Sequence, residues 1–200
     1  ATTDLLLTGL QDKKPAVAKN ASEALVGVVM AHAGVLTGRD DDGEDHDHGS
    51  HFTTSSSSST GSSSASTSTN SSRDDVVIVK RASAWLATVL RKLHKLARTK
   101  LRRKPQVPTR KSLRLRNAGV QGLAAVALAF PYDVPNFLPA VLVTLSVHLG
   151  DPSPIHATAR EGLAEVIKTH RSQWQQQRAK FTVEEWEAIN DVLTAPDYYA

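Results

Sequence analysis

Two hundred residues are enough to bury a sizeable core, and they predict one or two domains. The absence of cysteine excludes disulfide bonds and thiol catalysis, and it suits a reducing nuclear or cytosolic compartment. The formal net charge is only +4, but half of the 24 Lys and Arg residues lie between Arg91 and Arg116, and no Asp or Glu occurs from Val76 to Tyr132.

Residues 1–38 predict a pair of helices. The short apolar segment Leu5 to Leu7 is followed by a turn at Lys14-Pro15. The second segment then carries apolar residues at helical spacing as far as Val35, and Gly38 is a helix stop. No apolar run is long enough to span a bilayer and no secretory signal opens the chain, so we expect no membrane partner.

Residues 39–75 predict a disordered insertion. Its first part is acidic and contains His46, His48 and His51, and its second part is nearly all Ser and Thr. Such a segment has too little apolar area to offset the entropy of ordering the chain. A flexible His/Asp tract of this kind binds metal ions adventitiously, so we predict no metal site.

Residues 76–195 predict a series of helices. The first is amphipathic, with Trp85, Leu86, Val89, Leu90, Leu93, Leu96 and Leu101 on one side and basic residues opposite. The next, from Thr109 to Phe130, is apolar nearly all round in its second half, which indicates a helix sandwiched between neighbours. Another follows from Asn136 to Leu149.

Two helix starts have recognisable signals. Ser153 is the predicted N-cap of the helix after Leu149, with Pro154 at its first position. Thr182 and Glu185 form a T-x-x-E capping box that opens the last helix. No strand pattern is convincing, so the sequence predicts an all-α fold: a HEAT/armadillo-like α-solenoid fragment with a disordered acidic and Ser-rich insertion.

Residues 196–200 form a polar stop followed by Tyr198, Tyr199 and Ala200. Two of the three tyrosines of the chain therefore lie side by side at its C-terminus. A pocket on another protein would gain large contact area from such rings, and a lysine or backbone N–H groups would bind the terminal carboxylate. The alternative is that both rings fold back on the last helix.

The basic block from Arg91 to Arg116 has three explanations. It is a solvated face of the solenoid, or a nuclear localisation signal, since Arg98 to Lys111 holds two basic clusters separated by Pro105 and Pro108. The third explanation is a site for polyanions. As a whole, the chain could thus be a helical module that binds nucleic acid or an acidic membrane.

Catalytic motifs are absent from the sequence. It contains no Gly-rich phosphate loop, no zinc-ligand spacing and no nucleophile elbow. His94, His148 and His170 have no nucleophile or carboxylate partner that the sequence identifies, and we expect them at helix edges. The prediction is that the chain is not an enzyme and has no catalytic residues.

From about Leu113 to its end, the chain resembles the C-terminal portion of the large HEAT-repeat proteasome activator family. The matching residues agree in order and spacing, whereas the basic helix and the helix of residues 21–36 fit less closely, and residues 39–75 are an insertion. The matching runs are Asn117 to Val120, Gly122-Leu123, Pro131 to Pro135, Leu145 to Leu149, Asp151-Pro152, Pro154-Ile155, Thr169-His170, Trp174, Phe181-Thr182 and Tyr198 to Ala200.

The resemblance implies that this chain is the C-terminal end of a proteasome activator. Such activators stack a hollow solenoid dome on the α-subunit ring of the proteasome core particle. Their tails carry a hydrophobic–tyrosine–any-residue motif that enters a pocket between adjacent α-subunits and promotes gate opening. By position, Tyr198 is the hydrophobic member, Tyr199 the key tyrosine, and Ala200 the carboxylate donor that pairs with a pocket lysine.

The same resemblance implies ubiquitin-independent proteolysis in nucleus and cytoplasm, with a role in DNA repair. Acetylated histones would be recognised through a region outside this chain. Family members also bind inositol polyphosphates at basic openings of the dome, but no residue here can be matched to such a site, and no other cofactor is expected.

Overall fold

The computed structural model describes residues 2–37, 71–101, 108–171 and 174–194. Within these ranges the chain is helical and contains no strand. The helices are α1 (Thr2–Leu10), α2 (Pro15–Thr37), α3 (Ser71–Ala97), α4 (Arg110–Leu128), α5 (Leu138–Val147), α6 (Ile155–His170), α7 (Trp174–Gln177) and α8 (Val183–Thr194). Short 3₁₀ turns follow α5 (His148–Gly150) and α7 (Arg178–Lys180).

The helices pack as two rows. One row contains α2, α4 and α6, which pack against one another in that order. The other contains α1, α3, α5 and α8, and the pairs α1–α2, α3–α4 and α5–α6 connect the rows. This stacking of helix pairs confirms the prediction of an all-α solenoid fragment.

Helix α4 is the centre of the core. Nine of its residues are buried, all within Ala118 to Ala127, which confirms the prediction of a sandwiched helix. On α3, Leu86, Val89 and Leu93 are buried, as the apolar stripe predicts, and the basic positions opposite are exposed. Helix α3 begins at Ser71, ahead of Val76, where the sequence suggests that order resumes.

Helices α3 and α4 approach each other closely at Gly119. A Cβ atom added there would lie 2.2 Å from the backbone nitrogen of Ala97 and 2.8 Å from its Cα. Glycine at this position therefore allows the end of α3 to contact the backbone of α4 directly. This contact sets the position of the end of α3, including its basic face, relative to α4.

The predicted start of α6 is wrong by one residue. Pro154 is the N-cap instead of the first helical residue, and no side chain caps this helix end. Pro154 has φ −87° and ψ −4° and its carbonyl already accepts a hydrogen bond from the Thr158 N–H. Ser153 therefore stands one position too early to act as the N-cap.

The structure describes only part of the predicted insertion and of the basic block. Residues 38–70 and 102–107 lie outside the described ranges, so the predictions of disorder, of adventitious metal binding at His46, His48 and His51, and of the localisation signal stay predictions. No helix in the described part of the chain is long and apolar enough to cross a membrane.

Candidate docking segment and the helices that carry it

The predicted site residues Tyr198, Tyr199 and Ala200 lie outside the described residues, which end at Thr194. What the structure does show is the base from which this segment leaves, namely α8 and the helices packed against it. The geometry of that base determines which end of the solenoid carries the segment.

The start of α8 is fixed by the capping box that the sequence predicts. The Glu185 N–H donates to the Thr182 hydroxyl oxygen at 3.2 Å, and the Thr182 N–H donates to the Glu185 carboxylate at 3.0 Å. Two backbone donors that the first turn leaves without helical partners are thereby satisfied. The helix therefore begins at a defined residue, Val183.

An aromatic cluster joins α8 to the segment before it. The rings of Trp174, Phe181 and Trp186 lie 5.5 to 5.7 Å apart between centroids. The Arg178 guanidinium lies over the Trp186 ring at 5.4 Å. Ring pairs of this geometry add about 0.5–1.5 kcal/mol each beyond area burial. The cluster, together with the fully buried Ile189, holds α8 on the end of the row.

Helices α5 and α8 run in the same general direction. Lys180, just before α8, forms an ion pair with Asp133, just before α5, and the Gln177 side chain donates to the Tyr132 carbonyl at 3.3 Å. The two helices pack along each other from this shared start. At 1.5 Å per residue both are about 15–18 Å long, so α8 ends close to the end of α5.

That end of the solenoid is held together by a polar junction. Asp151 Oδ2 forms an ion pair with Arg116 Nε at 2.8 Å and a hydrogen bond with His148 Nδ1 at 2.7 Å. The Arg116 guanidinium also donates to the Thr99 carbonyl at 3.4 Å. The junction connects the end of α3, the first half of α4 and the turn between α5 and α6.

This junction corrects the expectation for the histidines. His148 is 3% exposed and has a carboxylate partner, so it is a buried structural residue and not a residue at a helix edge. His170 is 1% exposed, and its Nδ1 lies 2.9 Å from the Val166 carbonyl in the preceding turn. Of these three histidines, His94 alone is partly exposed. The i, i+3 spacing of His148 and Asp151 was the available signal for the junction.

The same end of the solenoid is strongly basic on α3. Arg91, Lys92, Lys95 and Arg98 are exposed, and Lys92 forms an ion pair with Asp4 at 2.6 Å. The hydrogen bond and charge of Lys92 lower the pKa of the Asp4 carboxyl. Burial, followed by the charges of Arg98 and His148, lowers the pKa of His94. Burial is thus the largest cause of the lowered pKa of His94, and nearby positive charge adds to it.

The described residues provide no metal centre. No group of three or more His, Asp or Glu side chains in them converges to hold a metal ion. The exposed basic face of α3 is the other feature of this region that bears on function.

Comparison with known proteins supports the resemblance in the sequence. Residues 113–200 match the family described as "Proteasome activator complex subunit 4-like, C-terminal". Relatives named "Proteasome activator complex subunit 4" from Xenopus laevis and Homo sapiens are 45% and 44% identical over 85 residues. "Proteasome activator complex subunit 4A" from Danio rerio is 44% identical over the same length.

Each of these matches covers 42% of this chain but only 5% of the relative. The family match begins within α4 and extends past α8, and it confirms the resemblance that the sequence motifs indicate.

Proposed function

We propose, from the match of residues 113–200 to the C-terminal family of proteasome activator complex subunit 4-like proteins, that this chain is the proteasome-binding end of a proteasome activator. In this proposal Tyr198, Tyr199 and Ala200 dock between α-subunits of the core particle and promote opening of its gate. The relatives' printed names support the activator role and the proteasome as partner.

The observation that carries the proposal is the combination of this match with a firmly held α8. A docking segment gains affinity when the helix that carries it is already ordered, because less conformational entropy is lost on binding. The capping box and the aromatic cluster fix the start of α8, and the helix continues to Thr194. Six further residues then reach the C-terminus, about 20 Å when extended.

The C-terminal segment is expected to contribute a moderate part of the binding free energy. A charge-assisted contact of the terminal carboxylate contributes about 1.5–3 kcal/mol, and a buried tyrosine anchor contributes about 2 kcal/mol. Neither is sufficient to hold a large activator on a ring, so further contact area from the rest of the solenoid is part of the proposal.

The test is binding of this chain to purified proteasome core particle, together with stimulation of fluorogenic-peptide hydrolysis by a synthetic peptide of the last residues. Tyr199→Ala and deletion of Ala200 should each weaken binding about thirtyfold, which corresponds to about 2 kcal/mol. Tyr132→Ala is the matched control, because Tyr132 is 69% exposed and lies at the opposite end of α8. Equal binding by the wild type and both C-terminal variants would contradict the proposal.

A second candidate is a helical module that binds nucleic acid or other polyanions through residues 91–116. The exposed basic face of α3 favours it. Such binding would fall steeply with salt through many phosphate contacts and would not depend on Ala200. Measuring duplex DNA binding between 50 and about 200 mM salt, with and without Ala200, separates the two functions.

The resemblance extends the proposal to ubiquitin-independent proteolysis, DNA repair and location in nucleus and cytoplasm. Recognition of acetylated histones would require regions outside this chain. Inositol polyphosphate binding is proposed for the longer protein without assigned residues here. Imaging a fluorescent fusion with Arg98 to Lys111 intact or neutralised tests the nuclear part of this proposal.

A further inference from the structure

The face of α3 that is turned away from α4 forms a cationic groove with α5. This α3 groove is a surface cavity of about 690 Å³, lined by Arg91, His94 and Lys95 of α3, by Arg98 just after α3, and by Ala140 and Thr144 of α5. The α5 side contributes only small, uncharged side chains, so the charge of the groove comes entirely from α3.

The cations of the α3 groove are not balanced within the described part of the chain. Arg91, Lys95 and Arg98 form no ion pair with any carboxylate there, whereas the adjacent Lys92 is paired with Asp4. The larger groove between α2, α4 and α6, of about 810 Å³, differs in containing both signs of charge. A surface with unbalanced charge of one sign raises the local concentration of partners of opposite sign.

The spacing of these cations favours separate anionic groups. Positions 91, 95 and 98 follow the i, i+4, i+7 pattern of one helix face, so their Cα atoms span about 10 Å along α3. Arg91 and Lys95 lie within α3, and the Arg98 N–H, just after the helix, donates to the His94 carbonyl, so these positions offer no free backbone N–H group to a phosphate. Such a row of single charges matches carboxylates distributed over a protein surface.

The α3 groove is close to the point where the C-terminal segment leaves. Thr144 lies in the second half of α5, and α8 ends near the end of α5 because the two helices start together at the Asp133–Lys180 ion pair. With helix spacings of 8–10 Å or slightly more, the groove is on the order of 20 Å from the end of α8. A partner that binds the segment therefore passes within reach of the groove.

We propose that the α3 groove is a second contact with the partner that receives the C-terminal segment, and that it binds an acidic protein surface of that partner beside the docking cleft. This inference rests on the proposed function. Exposed charges of this kind accelerate association and set its salt dependence more than they slow dissociation. The C-terminal segment, in contrast, controls dissociation.

The test is the association rate of the full chain with immobilised proteasome core particle at 50, 150 and 500 mM NaCl. The variant carries Arg91→Glu, Lys95→Glu and Arg98→Glu. We expect association about tenfold slower than wild type at low salt, with the difference reduced to less than about threefold at 500 mM, where the charges are screened. The corresponding triple Ala variant should show a smaller loss, and because Ala favours helix it guards against misfolding.

A matched control has the same change in charge at a different place. It reverses three exposed lysines in and around the start of α2, which line or adjoin the groove of mixed charge. They are Lys13, Lys14 and Lys19. The control should associate within about twofold of wild type, because its charges lie on the other row of helices. Equal slowing of the control and the α3 variants would overturn the inference.

The outcomes separate this inference from the proposed function. If Tyr199→Ala loses binding while the α3 variants match the control, only the α3 groove is wrongly assigned. If Tyr199→Ala binds like wild type, the proposed function itself is contradicted. Unchanged association of the α3 variants together with loss of their binding to a duplex DNA oligonucleotide would overturn the inference in favour of nucleic acid.

Discussion

The contact between α3 and α4 at Gly119 can be tested with a single methyl group. In Gly119→Ala, the added Cβ would lie 2.2 Å from the Ala97 nitrogen and 2.8 Å from both the Ala97 Cα and the Leu96 carbonyl carbon. All three are backbone atoms, so no side chain can rotate away. The helices must separate by more than about 1 Å to reach an ordinary van der Waals distance near 3.5 Å.

The cost of that separation follows from the buried residues around it. Ala97, Ala118 and Val120 are each at most 1% exposed. Moving α3 therefore opens space in a core that is otherwise closely packed. Overpacking of this kind costs about 3 kcal/mol. For a domain of this size, that lowers the melting temperature by about 6–12 °C.

Two other glycines provide graded controls. In Gly122→Ala the close atom is Leu93 Cδ2 at 2.3 Å, which is the end of a flexible side chain, so the loss should be smaller. Gly27→Ala meets nothing within 4 Å and should stabilise α2 by about 0.5–1 kcal/mol. Thermal unfolding followed by circular dichroism ranks the three variants by melting temperature, and we expect Gly119→Ala to be the lowest and Gly27→Ala the highest. A Gly119→Ala variant that melts like wild type would refute the close packing of α3 on α4.

Three further predictions concern pH, capping and the polar junction. Burial and nearby cations lower the pKa of His94, so the unfolded state binds a proton more readily than the folded state as pH falls below 6.5, and stability decreases in acid. His94→Gln should therefore reduce the fall in melting temperature between pH 7.5 and about 5.5. An unchanged dependence of the melting temperature on pH would count against this. Thr182→Ala should cost about 1 kcal/mol in urea unfolding, while Thr88→Ala, which removes no cap, should be nearly neutral, and equal effects would contradict the capping role. Asp151→Asn should lower the free energy of unfolding by about 2 kcal/mol, because Arg116 then lacks its carboxylate partner. In a double-mutant cycle, Arg116→Gln should cost little more once Asp151 is already replaced. Additive losses would show that the pair does not interact.

Helices and caps with local signals were predictable from the sequence. The apolar stripe of α3, the sandwiched α4 and the Thr182–Glu185 box depend on residues within a few turns of one another, and the structure confirms them. The predicted start of α6 was wrong by one residue, because Pro154 has helical backbone angles but is the N-cap and not the first helical residue. A proline after serine is compatible with either assignment.

Contacts between distant residues were not predictable. Arg116 and Asp151 are brought together only by the stacking of α4 on α6, and the sequence gives no signal for the pairing beyond the i, i+3 relation of His148 to Asp151. The α3 groove likewise depends on α5 presenting small residues opposite the cations. The basic block was evident in the sequence, but its place beside α5 required the fold.

The most direct test of the proposed docking is a structure of the chain, or of the longer protein, bound to the proteasome core particle by electron cryomicroscopy. The proposal predicts the Tyr199 ring and the Ala200 carboxylate in a cleft between adjacent α-subunits, with a lysine at the carboxylate. If the rings of Tyr198 and Tyr199 instead lie against α8 and every such cleft is empty in the bound complex, the proposed function is contradicted.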